Sequence, residues 1–438
     1  MTDPKFDQPN IVLVHCHDLG QHVGCYGADV HTPELDGLAA DGVRFENHLC
    51  TAPQCSPSRA SIMTGQYPHV HGVLGLAHDG WYLTPEDTTL PRTLRGLGYQ
   101  THHFGFQHVA EHPGHLGYEF THGYEHEDAG WLEAPDIVAD FEEALCDIAA
   151  ETPFFAAIGF EEPHTPLERE YVPQSARDRY DPTELDVPPG IPDTDETRER
   201  LAKFNALVTG VLDPAVGDVI AALCEHDCLD DTLVVFTTDH GIDFPQAKLT
   251  GYDAGLETGL ILRHPSLSSS TVREELLSNI DLFPTLVDIA GGDSPSTVDG
   301  RSFAPLFTDE KYVPRSHVFA EQTWHGDLKP FRAVSTSRYK YIEHYLITKR
   351  EDHSEQELYD LRNDPHEQEN LAPDTSPRFR SPVVAQSSTE PDENGGNSAY
   401  DAVLGTLERR LHRWMHATAD PLCEGSVPLP ESDRVRFE

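Results

Sequence analysis

The sequence predicts an α/β protein built on a large mixed, mostly parallel, doubly wound sheet flanked by helices, with a smaller C-terminal antiparallel sheet packed by a terminal helix. Three observations predict it. Short apolar runs rich in β-branched residues end in polar residues, as strands buried on both faces of a parallel sheet do. Helical patterns alternate with these runs, the order expected of a doubly wound sheet. From about residue 316 the texture changes to short alternating strands, which suggests a separate antiparallel unit.

The first run is Asn10-Ile11-Val12-Leu13-Val14-His15-Cys16. In a doubly wound sheet ligands gather at the carboxyl ends of strands, so function is expected just beyond it. Thr32-Pro33-Glu34-Leu35-Asp36 reads as a helix start, with a capping Thr, Pro at the first helical position and acids in the first turn. Further strands are expected at 154 to 160, 232 to 237 and 259 to 263, and a helix from Ala202 to Cys224. The small unit begins with His317-Val318-Phe319-Ala320 and Arg338-Tyr339-Lys340-Tyr341-Ile342. Glu357 to Glu367 reads as a strand leading through an Asp-Pro turn to a helix start. Residues 373 to 398 are rich in Pro, Ser, Asp and Asn, the composition of a mobile loop. Val403, Leu404, Leu407, Leu411 and Trp414 then recur at helical spacing. These boundaries give a large α/β domain over 1–315, expected to carry the function, and a smaller α+β subdomain over 316–438.

A chain of 438 residues with 75 Asp and Glu against 31 Lys and Arg carries a net charge of -44. Nucleic acid and anionic membrane are poor partners for such a surface, because phosphate binding needs clustered cations. Only 7 of the 31 basic residues are Lys. A Lys-poor acidic surface is what concentrated salt screens best, so a halophilic host is expected. No stretch reads as a membrane span of roughly 18 apolar residues, and the N-terminus lacks a basic leader, so the expected location is cytoplasmic. The eight cysteines are scattered and read as free thiols rather than a disulfide framework.

The chemistry concentrates in a few segments. In Cys55-Ser56-Pro57-Ser58-Arg59, Pro57 lies where a helix begins and Arg59 one turn beyond the cysteine. A nucleophile at a helix N-terminus faces backbone N–H groups suited to an anion. His17-Asp18-Leu19-Gly20 follows the first strand, where oxygen ligands reach a divalent cation at the sheet edge. Val234 to Thr238 is another buried strand, ending in Asp239-His240-Gly241, with Gly permitting a tight turn.

Cys55-Ser56-Pro57-Ser58-Arg59 followed by Thr64-Gly65 resembles the signature of the sulfatase family, an alkaline-phosphatase-like group of hydrolases. Through the Thr237 to Pro245 and Glu357 to Glu367 segments, the chain most resembles the heparan N-sulfatase (sulfamidase) and arylsulfatase A-like branch. The resemblance implies that Cys55 is oxidised to formylglycine by a formylglycine-generating enzyme. It implies a glycan or small-molecule sulfate as substrate, split at a sulfate ester or sulfamate. The hydrated aldehyde offers one hydroxyl to attack sulfur and another to expel the sulfate.

Residue by residue, it implies a metal held by His17, Asp18, Cys55, Asp239 and His240, with Ca²⁺ as the first expectation. Arg59, His164 and Lys248 would contact sulfate, His164 in Glu161-Glu162-Pro163-His164 being the candidate general acid. His108, in Gly105-Phe106-Gln107-His108, would assist sulfate release, and His240 would act on the scissile oxygen or as a ligand. Two positions depart from the pattern. His17 replaces the usual Asp, and imidazole suits transition metals, so Mn²⁺ or another transition ion is admitted, as is Mg²⁺; a hydrogen-bonding role beneath the site is the other reading of His17. Phe106 stands where the family has a sulfate-binding Lys. His103, His112 and His115 receive no role. A phosphonate or phosphate ester hydrolase of the same superfamily, and a non-catalytic anion-binding relative, are the alternatives.

Overall fold

Alternation along the first apolar run divides the core into two layers. In β1 (Asn10–Cys16), Val12, Val14 and Cys16 face one side of the sheet and Ile11 and Leu13 the other, and all five are fully buried. The computed structural model describes residues 6–123, 132–148, 152–308, 311–325, 327–345, 356–373 and 398–425. In chain order the next strands are β2 (Val43–Phe45), β3 (His48–Leu49), β4 (Gln100–Gly105), β5 (Phe120–His122), β6 (Phe154–Gly159), β7 (Thr232–Thr238), β8 (Leu260–Arg263), β9 (Thr271–Arg273) and β10 (Leu277–Ser278). The large sheet runs β5-β4-β6-β1-β7-β8-β2-β9, and only β8 is antiparallel to its neighbours. The predicted mixed, mostly parallel sheet is therefore present.

Helices cover both faces. Ile137 and Phe141 of helix Ala134–Asp147, with Phe204, Val216 and Leu223 of the segment Asp195–Glu225, pack on the Val12 side. Ile62 and Met63 of helix Cys55–Thr64, Leu94 of Leu90–Gly96 and Leu286 of Leu282–Ile289 pack on the Ile11 side. The helix expected from Ala202 to Cys224 starts earlier, at Asp195, and passes through a wider π turn at Val208–Leu212. By length and composition alone, Asp195–Glu225 is apolar enough to cross a membrane, contrary to the expectation that no stretch is. Its apolar side chains fill the core layer instead.

The helix expected after Thr32 spans Pro33–Asp41, but its N-terminus is satisfied differently from the expectation. Thr32 Oγ1 accepts from Gly24 N and donates to Asp36, so it caps nothing in its own helix. The carboxylate of Asp213 accepts from Glu34 N (3.2 Å) and Leu35 N (2.9 Å) in its place. A residue 179 positions away thus does the work of a local cap.

The small sheet is a meander of β11 (Val318–His325), β12 (Asp327–Ser335), β13 (Tyr339–His344) and β14 (Gln356–Asp360), antiparallel throughout. Helix Ser398–Ala417 lays Leu407, Leu411 and Trp414 on Phe319, Val334 and Leu358 of this sheet, as the helical spacing predicts. The helix start expected near Glu367 does not form among the described residues. Turns follow β14, pinned by Asp360, which accepts from Arg338 and Asn363. The loop expected at 373 to 398 lies, apart from its two end residues, outside the described residues. All eight cysteines are free thiols.

Candidate active site

Strand register brings the chemistry to one edge. Across β1, His15 pairs with Thr237 of β7 and with Gly159 of β6, and Gly105 of β4 pairs with Gly159. Four parallel strands therefore end at the same level. The chain leaving them supplies His17-Asp18, Phe106 to His108, Glu161 to His164, and Asp239-His240. Asp18 takes a left-handed backbone (φ 51°), which Asp tolerates better than most residues, and its N–H donates to Asp239 Oδ1 at 3.0 Å. Gly241 is needed where the turn closes: a Cβ there would sit 1.8 Å from the Ala254 carbonyl oxygen.

Cys55 opens the helix Cys55–Thr64, and all ten residues of that helix are buried. Gln54 before it is extended, and Gly65 after it is left-handed (φ 68°), with its N–H on Ser61 O. Pro57 falls within the first turn, so the helix starts where the sequence placed it. Arg59, one turn on, reaches back to the sheet: Nε donates to Asp239 Oδ2 (3.0 Å), Nη1 to His15 Nδ1 (2.7 Å) and Nη2 to Cys16 O (3.1 Å).

Ligand-type atoms of His17, Asp18, Cys55, Asp239 and His240 lie within 4.8 Å of one another, and all five residues are buried. His240 Nδ1 donates to Gly241 O (2.9 Å), so its Nε2 lone pair faces Asp18 Oδ1 (3.2 Å) and Cys55 Sγ (3.4 Å). His17 Nδ1 lies 3.2 Å from Asp239 Oδ2 without the geometry of a hydrogen bond. Lys248 Nζ donates to both oxygens of Asp18, at 2.8 and 3.0 Å.

Electrostatics keep this set in defined charge states. Burial works against ionising Asp239, but His240, His17 and Arg59 outweigh it and hold the carboxyl well below its usual range. Burial likewise opposes the charge on Asp18, and Lys248 with His240 prevails. Burial also works against the Lys248 ammonium, but the Cys55 sulfur, Asp18 and Asp243 hold its pKa above the usual value. Burial pushes His17 well below an ordinary imidazole and raises the Cys55 thiol above an ordinary cysteine.

His164 and His108 form the rim. His164 Nδ1 donates to Thr165 O (2.8 Å), leaving Nε2 3.8 Å from Asp18 Oδ2. His108 is left-handed (φ 58°) and stacks on His78 with centroids 5.3 Å apart; burial lowers its pKa to about 3. Phe106 carries the Arg59 guanidinium 5.1 Å from its ring centroid, a cation–π contact where the family has an ammonium. Every site residue expected from the sequence is thus brought to one place. His112 and His115 lie at a short turn about Pro113–Leu116, and His103 is buried behind the site.

Sequence reasoning missed the supports. His15 orients Arg59 but looks like an ordinary strand residue, and only its position one residue before the strand end could have pointed to it. Asn279 Nδ2 donates to Ser58 Oγ (2.9 Å), which in turn donates to Asp239 O (2.5 Å), locking the helix to the Asp239 turn. Gln322 of β11 donates to Gln54 Oε1 (2.8 Å), so the small sheet touches the residue before Cys55. A cleft of about 1160 Å³ runs from Lys248 and Gln322 between the two sheets toward Tyr252 and Glu357.

The family described as Sulfatase matches residues 9–292, and that described as N-sulphoglucosamine sulphohydrolase, C-terminal, matches 246–382. The chain is 28% identical to human N-sulphoglucosamine sulphohydrolase over 94% of this chain and 91% of that protein. It is 26% identical to an ulvan-active sulfatase of Formosa agariphila, over 97% of this chain and 83% of that one. The phosphonate monoester hydrolase of Silicibacter pomeroyi shares the fold, with a TM-score of 0.71, 24% identity and coverage of 94% and 96%. The chain belongs to the sulfatase family and is a sulfuric ester hydrolase.

Proposed function

We propose that the protein hydrolyses a sulfate ester or sulfamate carried by a sugar, through a formylglycine formed at Cys55 beside a bound divalent cation. The observation that carries this is the position of Cys55: first in a buried helix, 3.4 Å from the free nitrogen of His240, and flanked by Arg59 and Lys248. Because burial raises its pKa, the unmodified thiol stays protonated near neutral pH and is a weak nucleophile. That supports conversion to the aldehyde, whose hydrate supplies one hydroxyl to attack sulfur and one to expel it.

The residues present fit a cation. His17 Nδ1 is buried without a hydrogen-bond partner and faces a carboxylate oxygen, so two acceptors converge on the same space. His17, Asp18, Asp239 and His240 would hold the ion, which when bound would polarise a sulfate oxygen. Arg59 and Lys248 supply fixed positive charge for the anion. Protonated at Nε2, His164 would pass that proton to the departing oxygen or nitrogen. The N-sulphoglucosamine sulphohydrolase relative supports an N-sulfated amino sugar.

Matched sulfate and phosphate monoesters of one alcohol test the reaction class, with kcat/KM expected to favour sulfate; a clear phosphate preference defeats the proposal in favour of the phosphonate-type reading. Mass spectrometry of the Cys55 peptide from native material should find the aldehyde, and a fully unmodified thiol in active protein would contradict it.

His164→Ala is expected to lower kcat/KM for alkyl sulfates and sulfamates by about 10²–10⁴-fold. Nitrophenyl sulfate, whose leaving group needs no proton, should fall far less, and equal losses on both would remove His164 from the acid role. The charge of -44 supports a halophilic setting. The melting temperature should accordingly fall on transfer from molar salt to dilute buffer, where self-repulsion is unscreened, and an unchanged melt would refute it.

A further inference from the structure

Resting on the metal-dependent reading above, we infer that the centre is built for a borderline transition ion such as Mn²⁺, Co²⁺ or Zn²⁺ and discriminates against Ca²⁺. The first argument is donor type. Of the four residues that would hold the ion, two offer imidazole nitrogen, His17 Nδ1 and His240 Nε2, and two offer carboxylates. Calcium takes six to eight oxygen ligands and is tuned by their summed charge, whereas imidazole suits first-row transition ions.

The second argument is charge. Both carboxylates are already shared with fixed cations: Asp18 lies under Lys248 at 2.8 and 3.0 Å, and Asp239 under Arg59 at 3.0 Å. Two acids against two bases leave little net negative field for a hard ion, which depends on that field most. A nitrogen donor gains more of its bonding from the lone pair and loses less by this neutralisation.

The third argument is the environment of His17. Its ring packs 4.7 Å from Phe106 and 4.8 Å from His164, with His108 at 6.1 Å. Phe106 fixes the ring plane without placing a second cation beside it, so Nδ1 stays aimed at Asp239. Among the described residues His108 Nδ1 is also buried without a partner, so the same flank holds further nitrogen. The two departures from the family pattern, His17 and Phe106, are therefore neighbours in space, and together they remove one acid and one base from the site.

The test is equilibrium dialysis and thermal shift of chelator-stripped, full-length protein against MnCl₂, CoCl₂, ZnCl₂, MgCl₂ and CaCl₂. It is run on the native enzyme and on Cys55→Ala, so that an unmodified thiol does not pose as the soft ligand. The transition ions should bind about 10- to 100-fold tighter than Ca²⁺ in both proteins, and Co²⁺ should show visible absorption shifted by nitrogen ligation. His17→Asp should reverse the order toward Ca²⁺. If a third buried acid prevents folding, His17→Asn should lose the transition-ion preference and the Co²⁺ shift without adding charge. Calcium binding as tightly as Co²⁺, or a preference unchanged in both His17 variants, overturns the inference and leaves the sulfatase reading standing. Failure of every ion to bind native protein overturns the metal dependence itself.

Discussion

Cys55→Ala is expected to lower turnover of any sulfate ester by about 10⁴-fold or more, since removing a nucleophile that acts as one unit with its partners eliminates nearly all the chemistry. The fold should survive. Cys55 occupies the first position of its helix, and its side chain contributes one sulfur to a buried contact, so its loss costs about 1 kcal/mol. Arg59, Ser58 and Asn279 continue to tie the helix to the Asp239 turn whether or not the sulfur is present. Steady-state kinetics with an aryl sulfate and a thermal melt on the same preparation check both halves. A drop in melting temperature that parallels the activity loss would show that the variant had unfolded the site rather than disarmed it. Cys55→Ser sharpens the result. A serine hydroxyl can attack sulfur but cannot release sulfate by collapse to a carbonyl, so no more than one turnover per molecule is expected.

The fold and the site were legible to different degrees, and the reason is the range over which each signal acts. Strands such as Asn10–Cys16 and Thr232–Thr238 are written locally, because burial on both faces demands an unbroken apolar run. The polar residues just after them inherit their position from the strand register, which explains why the sequence alone places His17-Asp18 and Asp239-His240 in one site. What was not legible depends on partners far along the chain. Asp213 capping the helix at Pro33, His15 holding Arg59 and Gln322 reaching Gln54 are all side chains whose role exists only after the sheet has formed. Thr32 shows the same point in reverse: a good local cap lost its helix to a distant carboxylate and turned its hydroxyl to Gly24. The helix expected near Glu367 failed for a related reason. Glu367 is committed to Asp253 N (2.6 Å) and Lys340 (2.8 Å), contacts that bind the small sheet to the loop carrying Lys248.

Arg332→Met is expected to destabilise the protein by about 3–5 kcal/mol, the usual cost of stranding buried charge by removing one partner. Arg332 is fully buried in β12, with Nε on Asp420 Oδ2 (2.6 Å), Nη2 on Asp420 Oδ1 (3.1 Å) and Nη2 also 3.2 Å from Glu321. Glu321 in turn accepts from the Nδ1 and the backbone N–H of His69, in the helix Pro68–His71 that follows the Cys55 helix. Asp420 lies just beyond the terminal helix. One guanidinium therefore links the helix that follows the Cys55 helix, the small sheet and the segment just after the terminal helix, and Met can fill its volume but not its charge.

The cluster should also give stability a pH signature. Burial opposes protonation of His69, yet Glu321 and Asp420 raise its pKa above the ordinary 6.5. Its contribution is thus complete below pH 6.5 and fades as pH climbs through the raised value. Burial opposes ionisation of Asp420, yet Arg332 and His69 lower its pKa below the ordinary 3.8, so its contribution is complete above that pH and fades as pH falls through the lowered value. The latch is strongest between those limits. Denaturant unfolding of Arg332→Met and the parent at pH 5.5 and pH 8 measures it, and the gap between the two proteins should be the larger at pH 8: Arg332 lowers the pKa of both His69 and Asp420, so the variant binds more protons than the parent and recovers part of its loss at pH 5.5, where protonated His69 still balances the stranded acids. A gap under about 1 kcal/mol at both values would mean that the terminal helix docks by the apolar contacts of Leu407, Leu411 and Trp414 alone.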